Sequence, residues 1–525
     1  MHENISALED NATIEADVAI VGAGAVGFIL GVVLARRSIK TVIFEYGSEI
    51  PTTQTSELTG ETTGQAFDGL VNGRLKALGG TTNLWGGQLV PFSSLDFKAR
   101  PWLGLDEWPV SFEEVSDYFS DAYALLNLSE AEQEDQAVWR QVGLEAPDLG
   151  GDFNFVFARW MKDPNFVRLF GNETRKNDNL RIYTNANVID FNFDTEGKNC
   201  DSLIISNNGR KFVASSKMFI LSNGTLEIPR LLLNTARQNK NLPWANNDWV
   251  GAGFSDHVHG VAGHIDVKNK KVFRNYFEII RYNKTKYTPK IWLSHEFQTS
   301  NDTTNCVLTI NPIKSIGARL EEVRMLWNNV KTVNGIGFLK SILRLGSMLK
   351  IMMPIILRYL KHKRIYYPMG SGLLLGIEIE QTLNKNSRIF LSSEADKDGI
   401  PRIGVHWEIG QPELVTARSA AMALKDAFQR LELADVTIEP KLLDLDPGFL
   451  DLCHNANHHM GGTRMAESRD GGVVDRNLRV FGSTNLYVAG AAAFPSGSFA
   501  NPTFTAIALA LRLADHVGNR IQKLG

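Results

Sequence analysis

The sequence contains a glycine pattern that can bind the diphosphate of a dinucleotide. A buried strand over 18–21 runs into Gly22, Gly24 and Gly27, which have the spacing GxGxxG, and a helix is predicted to follow. Gly22 allows a sharp turn, Gly24 allows the backbone to approach a pyrophosphate, and Gly27 allows the helix to pack against the strand. The phosphates are then expected at the positive end of the helix.

An acidic residue completes this pattern. Glu45 follows a second predicted strand over 41–44, at the position where a carboxylate can accept hydrogen bonds from an adenosine ribose. The alternative is a tight strand-to-helix turn in an α/β protein that binds no ligand. The two flanking strands and the acid favour the dinucleotide site.

Length and composition limit the class of protein. The chain has 525 residues, which exceeds the size at which one core stops growing, so we expect two domains. A formal net charge of −3 argues against a nucleic-acid binder. Cys200, Cys306 and Cys453 are far apart and lack metal-ligand spacing, so we predict no metal site and a cytoplasmic, reducing location. The polar N-terminus lacks a signal-peptide pattern and is expected to be a short disordered leader.

A basic segment stands out between residues 324 and 367. It has many Lys and Arg residues, no Asp or Glu, and apolar runs too short to span a bilayer. One interpretation is a pair of domain helices with buried apolar faces. The other is peripheral contact with a membrane or a partner subunit through 336–364.

The order of predicted elements indicates the α/β class, α+β overall. Strands over 180–193 and 212–221, a glycine turn at 222–225, a strand over 485–490 and a helix from 501 to 517 resemble pieces of one nucleotide-binding domain. Alternating β-formers over 260–315 and 373–410 predict an antiparallel sheet. We therefore expect a Rossmann-like domain built from 1–95, 181–258 and 446–525, with a substrate-binding domain formed by 96–180 and 259–445.

Taken together, these motifs resemble the glucose-methanol-choline (GMC) flavoprotein oxidoreductases over nearly the whole chain. The order and spacing of the matching stretches are more specific than any one of them. These are the GxGxxG turn with Glu45, GGTTNLWGG (79–87), WPVSFEE (108–114), LSNGT (221–225), PRLL (229–232), 250–257, 384–392, HHMGGTRM (458–465) and NPT (501–503).

The resemblance implies FAD as the cofactor, rather than NAD. Leu84 occupies the position at which some relatives attach the flavin through a histidine, so we expect noncovalent FAD. The implied cofactor-binding residues are Gly22, Gly24, Gly27, Glu45, Gly80, Asn83, Trp85, Gly86, Val188, Gly224, Gly490, Ala491, Pro502 and Thr503.

The resemblance also implies two catalytic residues. His459, four residues before Thr463, is expected to accept the hydroxyl proton of an alcohol while hydride passes from the same carbon to flavin N5. Asn501 is expected to hold the substrate oxygen. His458 is expected to be structural, although a miscount by one would exchange the two histidines. His257 and His454 receive no assigned role.

The sequence thus predicts an FAD-dependent dehydrogenase or oxidase that acts on the CH–OH group of a sugar, polyol or related alcohol. The alternative is a membrane-peripheral dehydrogenase that acts on a lipid-linked substrate or passes electrons to a quinone or a partner subunit. An inactive flavoprotein scaffold and a nicotinamide dehydrogenase fit the motifs less well. The substrate, the electron acceptor and the oligomeric state are left open.

Overall fold

The computed structural model describes residues 1–51, 58–312, 353–354, 356–364 and 372–524. In chain order, its strands are β1 (His2–Asn4), β2 (Thr13–Val21), β3 (Thr41–Phe44), β4 (Glu61–Gly64), β5 (Gln88–Leu89), β6 (Phe153–Trp160), β7 (Leu180–Thr184), β8 (Asn187–Phe193), β9 (Cys200–Asn207), β10 (Arg210–Leu221), β11 (Val258–Val267), β12 (Ile280–Tyr282), β13 (Thr285–Leu293), β14 (Cys306–Pro312), β15 (Leu373–Ile379), β16 (Arg388–Ala395), β17 (Pro401–Trp407), β18 (Ala434–Ile438), β19 (His454–Asn455) and β20 (Leu486–Val488). The numbered α-helices are α1 (Ala25–Arg36), α2 (Ser94–Phe97), α3 (Phe112–Ser116), α4 (Phe119–Leu125), α5 (Asp135–Gln141), α6 (Phe166–Lys176), α7 (Glu227–Gln238), α8 (Lys270–Phe277), α9 (His295–Ser300), α10 (Gln411–Arg430), α11 (Pro440–Leu443) and α12 (Pro502–Leu524).

The first sheet has the strand order expected of a nucleotide-binding domain. Strands β1, β7, β3, β2 and β10 are parallel neighbours, β20 also pairs in parallel with β10, and β9 and β8 add an antiparallel edge. Strands β2 and β3 end side by side, with Val21 opposite Phe44. The glycine turn and Glu45 therefore lie at the same edge of the sheet, where parallel α/β sheets bind ligands.

Helix α1 is buried on nearly all sides. Phe28, Ile29 and Leu30 are fully buried, and the helix contacts the first sheet as well as α12. A helix that is apolar all round is expected when both of its faces are covered. The sequence of α1 therefore fixes it between the sheet and α12, with its N-terminus at the glycine turn.

The second sheet is antiparallel and follows the order β18, β11, β15, β14, β13, β6 and β5, with β12 and β19 paired at its sides. Helix α10 covers it. Leu414, Ala417, Ala421, Leu424 and Phe428 are buried at alternating spacings of three and four residues, as expected for one face of a helix. This sheet carries β11 and β19, which flank the candidate site.

The predicted fold class, with an antiparallel sheet inserted between separated pieces of a Rossmann-like domain, is confirmed. The strands of the first sheet fall within the segments predicted for the nucleotide-binding domain, apart from a one-residue overlap at Leu180. The short strands β5 and β19 fall within the same predicted segments but pair with the second sheet.

A small third sheet joins the two larger ones. It contains β16, β17 and β4, and β4 pairs with β17 in parallel. Residues 58–76, which contain β4, lie beside the candidate site, and we call this segment the strap. This pairing was not predicted from the sequence.

The expected disordered leader is wrong. Strand β1 pairs in parallel with β7, and the N-terminal amine of Met1 donates hydrogen bonds to the carbonyl oxygens of Thr174 and Leu180. The sequence did not indicate this strand because β1 is a short edge strand made of polar residues, without the apolar residues from which a strand is predicted.

Most of the basic segment, namely 324–352, 355 and 365–367, lies outside the described residues. In the described part, the guanidinium of Arg358 donates to Glu278 at 2.8 Å, and buried Arg364 donates to the carbonyl of Asn275 at 2.6 Å. Among the helices that the structure describes, we find none with the length and apolar character needed to cross a membrane.

Candidate active site

The glycine turn has the local geometry that each of its three glycines was predicted to provide. Gly22 has a φ of +95°, and a Cβ there would lie 2.5 Å from the Cα of Asn223. A Cβ on Gly27 would lie 1.9 Å from the carbonyl oxygen of Gly22. A Cβ on Gly24 would meet nothing within 4 Å, because this residue faces a cleft. A glycine at position 27 is thus needed for α1 to pack against the turn, and a glycine at position 24 lets a ligand in the cleft approach the backbone closely.

Glu45 braces the turn from the adjacent strand. Its two carboxylate oxygens accept hydrogen bonds from the backbone N–H groups of Ala23, at 2.9 Å, and Gly47, at 2.8 Å. Burial raises the pKa of this carboxyl group, and the two backbone donors act in the opposite direction. The residue also lines the cleft, so it can both hold the turn and contact a ligand.

The cleft that begins at this turn has a volume of about 600 Å³, within the usual range of cofactor sites. Most of the residues that the sequence predicted for cofactor binding line it: Gly22, Gly24, Glu45, Gly80, Trp85, Gly86, Val188, Gly224, Gly490, Ala491, Pro502 and Thr503. His458, His459 and Asn501 line it as well. The structure therefore brings together segments from the whole length of the chain.

Two predicted residues, Gly27 and Asn83, do not line the cleft. The amide nitrogen of Asn83 donates to the carbonyls of Leu78 and Gly80, at 3.0 and 2.8 Å, and its amide oxygen accepts from Asn165. All the polar atoms of the Asn83 side chain are thus engaged inside the protein. Its side chain holds the shape of the glycine-rich loop, and a direct contact of Asn83 with the cofactor stays a prediction.

His458 and Asn501 form a hydrogen-bonded pair on the cleft wall. The amide Nδ2 of Asn501 lies 2.9 Å from Nε2 of His458. Among the described residues, the amide Oδ1 of Asn501 has no hydrogen-bond partner. Burial lowers the pKa of His458 to about 4, although Glu378 acts in the opposite direction. The ring is therefore neutral near pH 7 and has a nitrogen lone pair available to accept a proton.

His459, which the sequence favoured, has a different environment. Its Nε2 lies 3.5 Å from Oδ2 of Asp256, and its ring contacts those of Phe67 and Phe254. A Cβ on Gly69 of the strap would lie 2.6 Å from Nε2 of His459. Burial lowers the pKa of His459 to about 3. This ring packs beneath the strap and makes no hydrogen bond with Asn501.

Asp256 fixes the turn that carries the two histidines. Its Oδ1 accepts hydrogen bonds from the backbone N–H groups of His257, at 2.7 Å, and His458, at 2.8 Å. Nearby, Ser255 and Met460 exchange backbone hydrogen bonds of 2.9 and 2.8 Å. Burial raises the pKa of Asp256 to about 7, against the effect of these backbone donors. The sequence reasoning assigned Asp256 no role, because its partners lie about 200 residues away along the chain.

A buried ion pair holds the loop that leads to Asn501. Arg100 and Glu380 are almost fully buried and join through two hydrogen bonds of 2.5 and 2.6 Å. Asn305 donates its backbone N–H to Glu380 and its amide to Asp96, and Asp96 accepts from the hydroxyl of Ser498 at 2.8 Å. This network anchors the main chain three residues before Asn501. Nothing in the local sequence around Arg100 indicates it.

Charged residues also lie behind His458 on the second sheet. Glu378 of β15 is directly opposite His259 of β11, and its carboxylate lies 3.4 Å from the ammonium of buried Lys290 on β13. Burial alone would raise the pKa of Glu378, but Lys290 and three histidines lower it to about 2. An ionised carboxylate therefore acts on His257, His259 and His458.

Comparison with known proteins identifies a family domain in the C-terminal part of the chain. Residues 384–510 match the model of the GMC oxidoreductase family. The chain therefore carries the C-terminal domain of a GMC oxidoreductase, and the family resemblance identified from its sequence is confirmed.

The relatives carry oxidase and dehydrogenase names. The chain is 29% identical to C-glycoside 3-oxidase of Microbacterium trichothecenolyticum over 154 residues, which is 29% of this chain and 28% of that protein. It is 20% identical to 2-methyl-1,2-propanediol dehydrogenase of Mycolicibacterium austroafricanum over 499 residues, which is 85% of this chain and 81% of that protein. The match to the first relative thus spans less than a third of its length.

The fold is shared with a solved structure over nearly its full length. Formate oxidase of Aspergillus oryzae RIB40, in a structure concerned with the modification of its FAD, superposes with a TM-score of 0.59 at 18% identity. The superposition covers 99% of this chain and all of that one. Together with the family match and the lining of the cleft, this similarity supports FAD as the cofactor.

Proposed function

We propose that the protein is an FAD-dependent oxidoreductase that oxidises the CH–OH group of a sugar, polyol or related alcohol to a carbonyl group. The observation that carries this proposal is the pairing of His458 with Asn501 on the wall of the cleft that begins at the glycine turn. A neutral imidazole can accept the proton of a hydroxyl group while the adjacent amide N–H donates to the hydroxyl oxygen.

The cleft residues fit FAD. Gly24 and Gly224 leave open space where a Cβ would project, so backbone can approach a diphosphate closely. The N-terminus of α1 opens at Gly24 and favours negative charge. Leu84 lines the cleft and has no nucleophilic atom, which supports noncovalent binding. When bound, FAD supplies the acceptor for the hydride that leaves the substrate carbon.

We propose His458 as the general base, in place of His459, which the sequence favoured. Asn501 is hydrogen-bonded to His458, whereas His459 faces Asp256 and two aromatic rings beneath the strap. Nε2 of His458 accepts the hydroxyl proton. Nδ2 of Asn501, which lies 2.9 Å from that nitrogen, can donate to the substrate oxygen and so orient it.

The names of the relatives support a polyhydroxylated substrate. One of them is a C-glycoside oxidase and another a diol dehydrogenase. A site with a polar pair at the base of the cleft suits a substrate hydroxyl group. Sugars and vicinal diols are therefore the first substrates to examine.

The test is anaerobic reduction of the purified yellow protein by a panel of sugars, diols and simple alcohols. We expect at least one to bleach the oxidised flavin band, and acid precipitation to release the flavin into the supernatant. His458→Ala should slow the bleaching by about 10²- to 10⁴-fold. His459→Ala, a matched change in the neighbouring residue, should have a clearly smaller effect. A colourless protein, or the reverse order of the two variants, would contradict the proposal.

A further inference from the structure

His257 makes a second hydrogen bond to the proposed base. Nδ1 of His257 lies 3.0 Å from Nδ1 of His458, with the two rings at 77° to each other. His257 is fully buried. A hydrogen bond between two imidazole nitrogens contains one proton, so one ring donates and the other accepts.

The hydrogen bond at Nε2 of His458 decides which of the two rings is the donor in the His257–His458 hydrogen bond. Nδ2 of Asn501 is a donor only, so Nε2 of His458 must accept from it. The proton of neutral His458 is then on Nδ1, from which it is donated to Nδ1 of His257. The proton of neutral His257 is then on Nε2, which has no hydrogen-bond partner among the described residues.

We propose that His257 is a positioning residue that accepts a hydrogen bond from Nδ1–H of His458 and so keeps the lone pair of His458 on Nε2, the nitrogen that acts as the base. This inference rests on the proposed function. His257 does not line the cleft, so it would act on the reaction only through His458.

The surroundings support an acceptor role for His257. Burial lowers the pKa of His257 to about 3, so the ring is neutral and can accept a hydrogen bond. His458 and Lys290 disfavour its protonation, and Glu378 acts in the opposite direction. When His458 takes up a proton on Nε2, its Nδ1–H is already directed at an acceptor, so this side of the imidazolium needs no rearrangement.

The position of His257 is also fixed by the fold. It directly precedes β11, and β11 pairs with β19, with Val258 opposite Asn455. Asp256 then holds the backbone N–H groups of both His257 and His458 with one carboxylate oxygen. The two rings are therefore held relative to each other by main chain as well as by their own hydrogen bond.

The test uses His257→Leu and His257→Asn in the full-length protein. Leucine removes the acceptor, whereas the amide oxygen of asparagine can occupy the position of Nδ1. We expect His257→Leu to lower the rate of flavin reduction by about 10- to 100-fold with a smaller change in KM. His257→Asn should retain most of the rate. His454→Leu, which breaks the neighbouring His259–His454 contact of 3.1 Å, is the control and should leave the rate unchanged.

A second measurement reads the tautomer without any turnover. Ring ¹⁵N chemical shifts of the protein without substrate, assigned by comparison with His458→Gln, should show the proton of His458 on Nδ1. In His257→Leu that signal should move toward the Nε2–H form. A wild-type protein with the proton on Nε2, or equal reduction rates in His257→Leu and wild type, would overturn the inference. If no alcohol reduces the flavin, the proposed function fails while the tautomer result still decides the role of His257.

Discussion

The pH dependence of flavin reduction is the sharpest test of His458 as the base. An ordinary histidine has a pKa of about 6.5 and is about 90% protonated at pH 5.5. Burial lowers the pKa of His458 to about 4, which leaves only about 3% of the ring protonated at that pH. Since only the neutral ring can accept a proton, the structure predicts a nearly constant reduction rate from pH 8 down to pH 5.5.

The ion pair of Glu378 and Lys290 allows the pKa of His458 to be shifted in either direction by substitution. Glu378 raises the pKa of His458 and Lys290 lowers it. Lys290→Met should therefore move the acidic limb of the profile to higher pH, by on the order of one pKa unit. Glu378→Gln should move the limb to lower pH. Neither residue lines the cleft, so the rate at pH 8 should change less than the limb.

The assay is anaerobic stopped-flow reduction of the flavin at saturating substrate between pH 4 and pH 9. Far-UV circular dichroism at each pH separates loss of rate from loss of structure. The carboxyl group of Asp256 also titrates in this range, because burial raises its pKa to about 7. A limb near pH 6.5 that persists in Asp256→Asn would therefore refute the buried, neutral imidazole. Shifts of both variants in the same direction would refute the assignment of the limb to His458.

Two further predictions concern the glycine turn and the buried ion pair. Gly27→Ala should lower the midpoint of thermal unfolding, because its Cβ would lie 1.9 Å from the carbonyl oxygen of Gly22. Gly24→Ala should leave the midpoint of the apoprotein unchanged, because its Cβ would meet nothing within 4 Å, and should weaken FAD binding in a fluorescence titration. Equal midpoints for the two apoproteins would contradict this reading. Arg100→Met should destabilise the protein by about 3–5 kcal/mol, because it leaves the buried carboxylate of Glu380 unpaired, and Arg100→Met with Glu380→Leu should recover much of the loss in a urea titration. A double variant no more stable than Arg100→Met alone would show that the unpaired carboxylate of Glu380 is not the cause of the destabilisation.

The nucleotide-binding half of the site could be predicted from sequence because its signals are local. The turn at Gly22, Gly24 and Gly27 follows from steric limits within six residues, and Glu45 is adjacent because two parallel strands end together. The antiparallel sheet was also predicted from alternating residues. Its edges were not, because β19 is only two residues long and has no periodicity to detect.

The choice between His458 and His459 could not be made from spacing. Both follow Asn457, which has a φ of +60°, and precede Gly461 and Gly462, which also have positive φ. In such irregular backbone, neighbouring side chains have no fixed period, so counting from Thr463 does not tell which ring enters the cleft. Only contacts with residues far along the chain, Asp256 and Asn501, distinguish the two rings.

The two adjacent histidines belong to one turn but are held by different parts of the fold. His458 contacts Asn501, at the start of α12, and His257, at the start of β11. His459 is covered by the strap, through the ring of Phe67 and the backbone at Gly69. A change in the strap should therefore act first on His459 and only through the backbone on His458. Since Asp256 binds the backbone of His458 and faces the ring of His459, it is the residue through which such a change would reach the base.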